Sequence, residues 1–157
     1  MTSRNHRARS LAVGALVLAV AVGWTRSPAA EEDPTTCLAR TVYFEARDDG
    51  RAGMAAVAAV VMNRVRHPDF PDDVCAVVRE GGETAPCQFT WWCDGKSDQA
   101  DDQELWALAL DVARRALSGE AADPTGAALF FHHRDVEAPY HEERELVAEI
   151  GSHLFYR

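Results

Sequence analysis

The residue in this 157-residue sequence whose type and setting best suit chemistry is Glu45. Read as a helix, the segment around it puts Glu45 on one stripe with Leu38, Thr41 and Val42, at offsets of seven, four and three. Tyr43 and Phe44 add aromatic surroundings. A carboxyl group held on such a stripe loses hydration, which disfavours its charged form and raises its pKa. An acid still protonated near neutrality can protonate the leaving oxygen when a glycosidic bond breaks. The plainer alternative is a solvated glutamate, or one paired with Arg47.

Around Glu45 stand candidates for ligand contact. Gln88-Phe89-Thr90-Trp91-Trp92 has the composition of a sugar platform: flat rings to cover the apolar faces of hexoses, and an amide to bond their polar substituents. The same Phe89 and one tryptophan would also serve as ordinary core, with Trp91 or Trp92 exposed rather than both. Asn63, at a helix end, either lines a cleft or caps the helix, and Arg64 suits a structural ion pair. His132-His133, His141 and His153 lack the spacing of a zinc site, and no metal or other cofactor is expected. On an alternating strand only one of His132 and His133 can face a cleft.

Four cysteines (Cys37, Cys75, Cys87, Cys93) read as two disulfides with the pairing open, provided that the chain is exported. The amino terminus predicts export. Arg4, Arg7 and Arg9 precede an apolar run from Leu11 to Val22, and small residues at Ser27, Ala29 and Ala30 suit cleavage. Residues 1–30 are therefore expected to be a secretory signal and 31–157 a single domain; an uncleaved anchor is the alternative. Those first thirty residues hold four arginines and no acid, so the remaining 127 carry 12 Lys+Arg against all 25 Asp+Glu, a formal charge of −13. So acidic a body repels nucleic-acid backbones and anionic lipid surfaces. Neither nucleic-acid binding nor stable membrane insertion after signal cleavage is expected.

The elements that must position these residues are mostly helical. A helix is predicted over Thr36 to Arg47, with Thr35 or Thr36 as N-cap, broken at Asp48-Asp49-Gly50. Gly53 to Arg66 is apolar nearly all round and predicts a buried helix ended by His67-Pro68. A short turn of helix spans Asp72 to Val78, and Gly81 through Lys96 reads as loop and hairpin. Gln103 to Leu117 forms a third full helix, with Asp101 and Glu104 as a capping pair and Gly119 as its stop. A type I turn at Asp123-Pro124-Thr125-Gly126 leads into a strand over Ala127 to His132, partnered by His153 to Tyr156. The fold class is α+β, mostly α, with a small antiparallel sheet.

The block Cys37-Leu38-Ala39-Arg40-Thr41-Val42-Tyr43-Phe44-Glu45-Ala46-Arg47 resembles the signature of the SleB/CwlJ-type cell wall hydrolases. The resemblance continues in order through Gly53–Val65, Phe70-Pro71, Val74-Cys75, Cys87-Gln88-Phe89, Cys93-Asp94-Gly95, Asp123 to Ala127 and Ile150 to Arg157. It implies a lysozyme-like single domain acting on the glycan strand of peptidoglycan, at the MurNAc–GlcNAc bond, in the periplasm or outside the cell. It makes Glu45 the general acid and then the base of a lytic transglycosylase, with Tyr43, Arg47, Asn63, Gln88, Phe89, Trp91, Trp92 and His132 as substrate contacts, in an expected monomer needing no cofactor.

Three positions depart from the family pattern. Asp48-Asp49 stands where Gly-Glu is usual, Thr90 where Ser is common, and Tyr140 is the nearest aromatic to a usual Trp. Three other functions compete: a wall-binding module without catalysis, a muramidase using Asp48, Asp49, Asp94 or Asp98 as second carboxylate, and a Cys/His peptidase, which two disulfides would leave without a free thiol.

Overall fold

The computed structural model describes residues 32–137 and 143–157, which lie in one compact unit spanning Glu31–Arg157. The expected signal segment and two residues singled out in the sequence, Tyr140 and His141, fall outside the described residues. Among the described residues, five α-helices precede a three-stranded sheet.

Helix α1 (Pro34–Ala46) starts two or three residues earlier than its threonines suggest, because Asp33 rather than Thr35 or Thr36 is the N-cap. The Asp33 carboxylate accepts from the Thr36 amide at 3.3 Å, and Pro34 occupies the first turn, where its missing N–H costs nothing. Arg47–Asp49 form a single 3₁₀ turn, so the Asp48-Asp49 break is real but brief. Helix α2 (Gly50–Val65) begins at once and is buried from Ala56 through Val61 without interruption. Such all-round burial requires neighbours on every side, and α1, α5 and the sheet supply them.

Helix α3 (Val74–Val78) is tied to α1 by the disulfide Cys37–Cys75. The segment expected as a hairpin instead closes on itself. Cys87–Cys93 is the second disulfide, and inside it Thr90–Cys93 makes one helical turn, α4. A bridge only six residues apart leaves no room for two paired strands. No free cysteine remains.

Helix α5 (Gln103–Leu117) is capped by Asp102, whose carboxylate accepts from the Glu104 and Leu105 amides at 2.9 and 3.0 Å. Asp101, expected in that role, instead accepts the Tyr43 hydroxyl at 2.7 Å, while the same hydroxyl accepts from the Asp102 amide at 3.1 Å. Tyr43 thus fastens α1 to the start of α5.

The sheet is antiparallel in the order β1 (Phe130–His133), β3 (His153–Tyr156), β2 (Leu146–Ile150). Strand β1 begins three residues later than expected, because the preceding turn wraps around one carboxylate. Asp123 accepts from the Thr125 and Ala127 amides at 2.8 and 3.0 Å, and Ala127 takes a φ of 64°. Strand β2 was not expected from the sequence; it reaches β3 through the tight Gly151-Ser152 turn. No helix among the described residues is long and apolar enough to cross a membrane.

Candidate active site

Glu45 sits in the last turn of α1, with Leu38, Thr41 and Val42 of its stripe fully buried. Its carboxyl reaches the wall of a cleft of about 310 Å³. Gln88 and Thr90 from the disulfide-closed loop border one part of it; Phe131, His132 and His133 of β1, with Val136 and His153, border the rest. Burial pushes the Glu45 pKa up to about 7, and the positive charge of Arg64, which acts the other way, offsets only part of that rise. No hydrogen bond among the described residues holds the Glu45 carboxyl, so its proton is available to a ligand.

Arg64 itself is 2% exposed. Its Nε donates to the Leu129 carbonyl at 2.8 Å, and its guanidinium lies over the rings of Phe70 and Phe89 at 5.2 and 5.6 Å. With its amide oxygen turned inward, Gln88 accepts from Arg64 Nη1 and Nη2 at 3.0 and 3.2 Å. Arg64 therefore fixes one cleft-lining side chain as well as setting the charge near Glu45.

The other residues singled out in the sequence divide sharply. Gln88 and His132 line the Glu45 cleft, and so does His133, although alternation along the strand was expected to admit only one of the two histidines. Phe89 and Trp91 belong to the core, at 2% and 7% exposure, with Trp91 stacked on Phe44 at 5.5 Å. Trp92 is half-buried beneath the Arg79 guanidinium at 5.0 Å, so neither tryptophan is the exposed ring that a sugar platform needs. Tyr43 is buried against α5, and Arg47 borders a separate hollow with Asp48, Asp101 and Asp102. Asn63 donates to Asp123 Oδ2 and to the Ala128 carbonyl at 3.0 and 3.1 Å, bracing the turn before β1. These six were expected at the substrate; the structure gives Phe89, Trp91, Trp92, Tyr43 and Asn63 packing and bracing roles and sets Arg47 beside a separate hollow.

Two residues carry more of the site than their sequence setting suggests. Asp49 accepts from the Ser152 amide at 2.8 Å, the Ser152 hydroxyl at 2.9 Å and His153 Nδ1 at 2.8 Å. Burial alone would raise the Asp49 pKa, but these hydrogen bonds outweigh it and hold the carboxyl below its usual value. Burial is also the leading influence on His153, and it keeps the ring below the ordinary histidine range despite the Asp49 partner. The available signal was glycine. A Cβ at Gly53 would stand 2.2 Å from the Asp49 Cβ, and one at Gly151 would lie 2.4–2.7 Å from the Asp49 carboxyl atoms. Both glycines make room for this side chain.

A larger hollow of about 420 Å³ lies between α2 and α5, floored by Ala55, Ala58, Val112 and Ala116. Its one lining carboxylate, Asp111, is paired with Arg51. Among the described residues, no group of three or more His, Cys, Asp or Glu side chains is arranged to hold a metal ion.

A small helical body with a three-stranded sheet and one carboxyl held near neutrality at a cleft defines a lysozyme-like domain. Its sequence from residue 48 to 156 matches the profile of the cell wall hydrolases, and the chain belongs to that family. It is 35% identical over 119 residues to a spore cortex-lytic enzyme of Halalkalibacterium halodurans, covering 75% of this chain and 33% of that protein. The spore cortex-lytic enzyme of Bacillus subtilis is 34% identical over 119 residues, again 75% of this chain and 35% of the relative. The chain thus spans about a third of the length of these curated relatives. Among solved structures it resembles the catalytic domain of the germination-specific lytic transglycosylase SleB from Bacillus anthracis. The TM-score is 0.65 at 30% identity, covering 83% of this chain and all of that one. The Bacillus cereus SleB catalytic domain gives 0.61 at 30% identity, covering 87% of this chain and 99% of that one.

Proposed function

We propose that this protein cleaves the glycan strand of peptidoglycan at the MurNAc–GlcNAc bond as a lytic transglycosylase, with Glu45 as its general acid. One observation carries the reading: Glu45 is the only carboxylate lining its cleft among the described residues, and burial, which pushes its pKa up to about 7, leaves about half of it protonated at neutral pH. A hydrolase of the two-carboxylate kind needs a second acid across the scissile bond. Asp48, Asp94 and Asp98 are absent from the cleft lining, and Asp49 is engaged by Ser152 and His153. A route in which the muramic 6-hydroxyl closes a 1,6-anhydro ring needs no such partner. Kinship with spore cortex-lytic enzymes supports the wall glycan as substrate. Because the family match opens at Asp48, just past Glu45, the assignment of Glu45 rests on its burial and position. The two disulfides suit an exported protein acting in the periplasm or outside the cell.

Digestion of purified peptidoglycan, with mass spectrometry of the released fragments, tests the reading. Anhydro ends, about 18 mass units lighter than hydrolysed ones because no water is added, are expected. Reducing muramic ends would instead make the enzyme a hydrolase.

A further inference from the structure

Asp49 and His153 form a buried pair beside the cleft that the single-carboxylate reading does not use. Asp49 lies in the 3₁₀ turn after α1, and His153 opens β3, more than a hundred positions away. Their 2.8 Å contact is built rather than incidental. The Asp49 side chain is cradled where Gly53 and Gly151 leave no Cβ, and it also holds both the amide and the hydroxyl of Ser152. His153 is 6% exposed, yet its ring borders the cleft that Glu45 enters. With Nδ1 committed to Asp49, Nε2 is the ring's remaining polar atom. It makes no hydrogen bond among the described residues.

We infer that Asp49 holds His153 in the tautomer with hydrogen on Nδ1, so that Nε2 takes the proton of the hydroxyl attacking the anomeric carbon. This rests on the glycan-cleaving reading of Glu45. The Glu45 proton passes to the leaving oxygen as the bond from that oxygen to the anomeric carbon breaks. The muramic 6-hydroxyl bonds to the anomeric carbon and gives its proton to Nε2. The imidazolium so formed keeps its Nδ1–H on the Asp49 carboxylate. Transfer of the extra proton from Nε2 to the Glu45 carboxylate, through water in the cleft, restores both groups. A carboxylate that fixes a histidine tautomer and steadies its charged form is an established device of acid–base catalysis. The direction of the His153 pKa agrees, since a ring kept neutral at working pH can accept a proton.

The charged and titratable groups around His153 are Asp49 from the 3₁₀ turn, His132 and His133 from β1, and Glu45 across the cleft. The intact protein should therefore show a two-sided pH–rate profile on soluble glycan strands. The acid limb belongs to protonation of His153, and the alkaline limb to ionisation of Glu45. In His153→Gln, kcat should fall about 10²-fold or more with KM little changed, and the acid limb should disappear while the alkaline limb stays. Asp49→Asn provides a second variant. Its amide can still accept from Ser152, but its NH₂ faces Nδ1 and favours the opposite tautomer, so a similar loss of kcat is expected at an unchanged melting temperature. Wild-type protein without an acid limb, or an Asp49→Asn variant that keeps its kcat, would overturn the inference. The Glu45 reading stands or falls separately: a dead Glu45→Gln beside a normal His153→Gln removes only the histidine.

Discussion

At the scale of single residues, burial ties the titration of Glu45 to the stability of the fold. Its carboxyl titrates near 7 in the folded protein against a usual value of 4.5, because burial disfavours its charge. The folded state thus prefers the protonated form. That contribution is fully present below pH 4.5 and is lost as the pH rises through about 7, a difference on the order of 3 kcal/mol. Glu45→Gln is neutral throughout, so its melting temperature should hold between pH 5 and 8 where that of the wild type declines. Thermal unfolding of both proteins across this range checks the expectation; parallel curves would mean that Glu45 is not buried as described. The stripe Leu38–Thr41–Val42–Glu45 was legible in the sequence because helical periodicity reports directly on which face is buried. Asp49 was not. Its neighbours in the chain suggest only a loop acid, and its meaning comes from Gly53, Gly151, Ser152 and His153, three of which lie about a hundred residues away.

At the scale of elements, the cleft depends on a short loop held in place from two sides. Cys87–Cys93 closes the loop around α4, and Arg64 grips the amide of Gln88. Replacing both cysteines by serine should release Gln88 and Thr90 from the cleft wall. Cleavage activity should then fall severalfold or more, with a loss of stability of about 2–4 kcal/mol. Denaturant unfolding and the rate of fragment release measure the two effects. Unchanged rates would show that the loop does not shape the site. All three long helices and the short α3 were readable, with end errors of a few residues, since apolar patterning and capping residues act locally. The misread loop has another cause. Phe89, Trp91 and Trp92 look alike in sequence whether they meet a sugar or a core, and only the path of the disulfide turns Phe89 and Trp91 inward. Strand β2 was missed because Leu146–Ile150 is a half-exposed edge strand whose ladder is completed by β3, and a five-residue edge carries little pattern of its own.

At the scale of the whole molecule, the described body resembles complete SleB catalytic domains while covering about a third of the full-length cortex-lytic enzymes. Its helices form a scaffold in which α1 supplies Glu45, the 3₁₀ turn after it supplies Asp49, and the sheet brings His132 and His153 to the cleft that Glu45 lines. On the proposed reading, a −13 body would meet an uncharged sugar backbone through shape and hydrogen bonds rather than through bulk charge. All of this converges on one proton. The most direct test is the initial rate at which purified peptidoglycan yields soluble fragments, compared between wild-type protein and Glu45→Gln near pH 6. That substitution keeps the side chain's shape but cannot deliver a proton. A loss of at least about 10²-fold is expected, in a variant that melts no lower than the wild type. A Glu45→Gln protein that cleaves at near wild-type rate would contradict it.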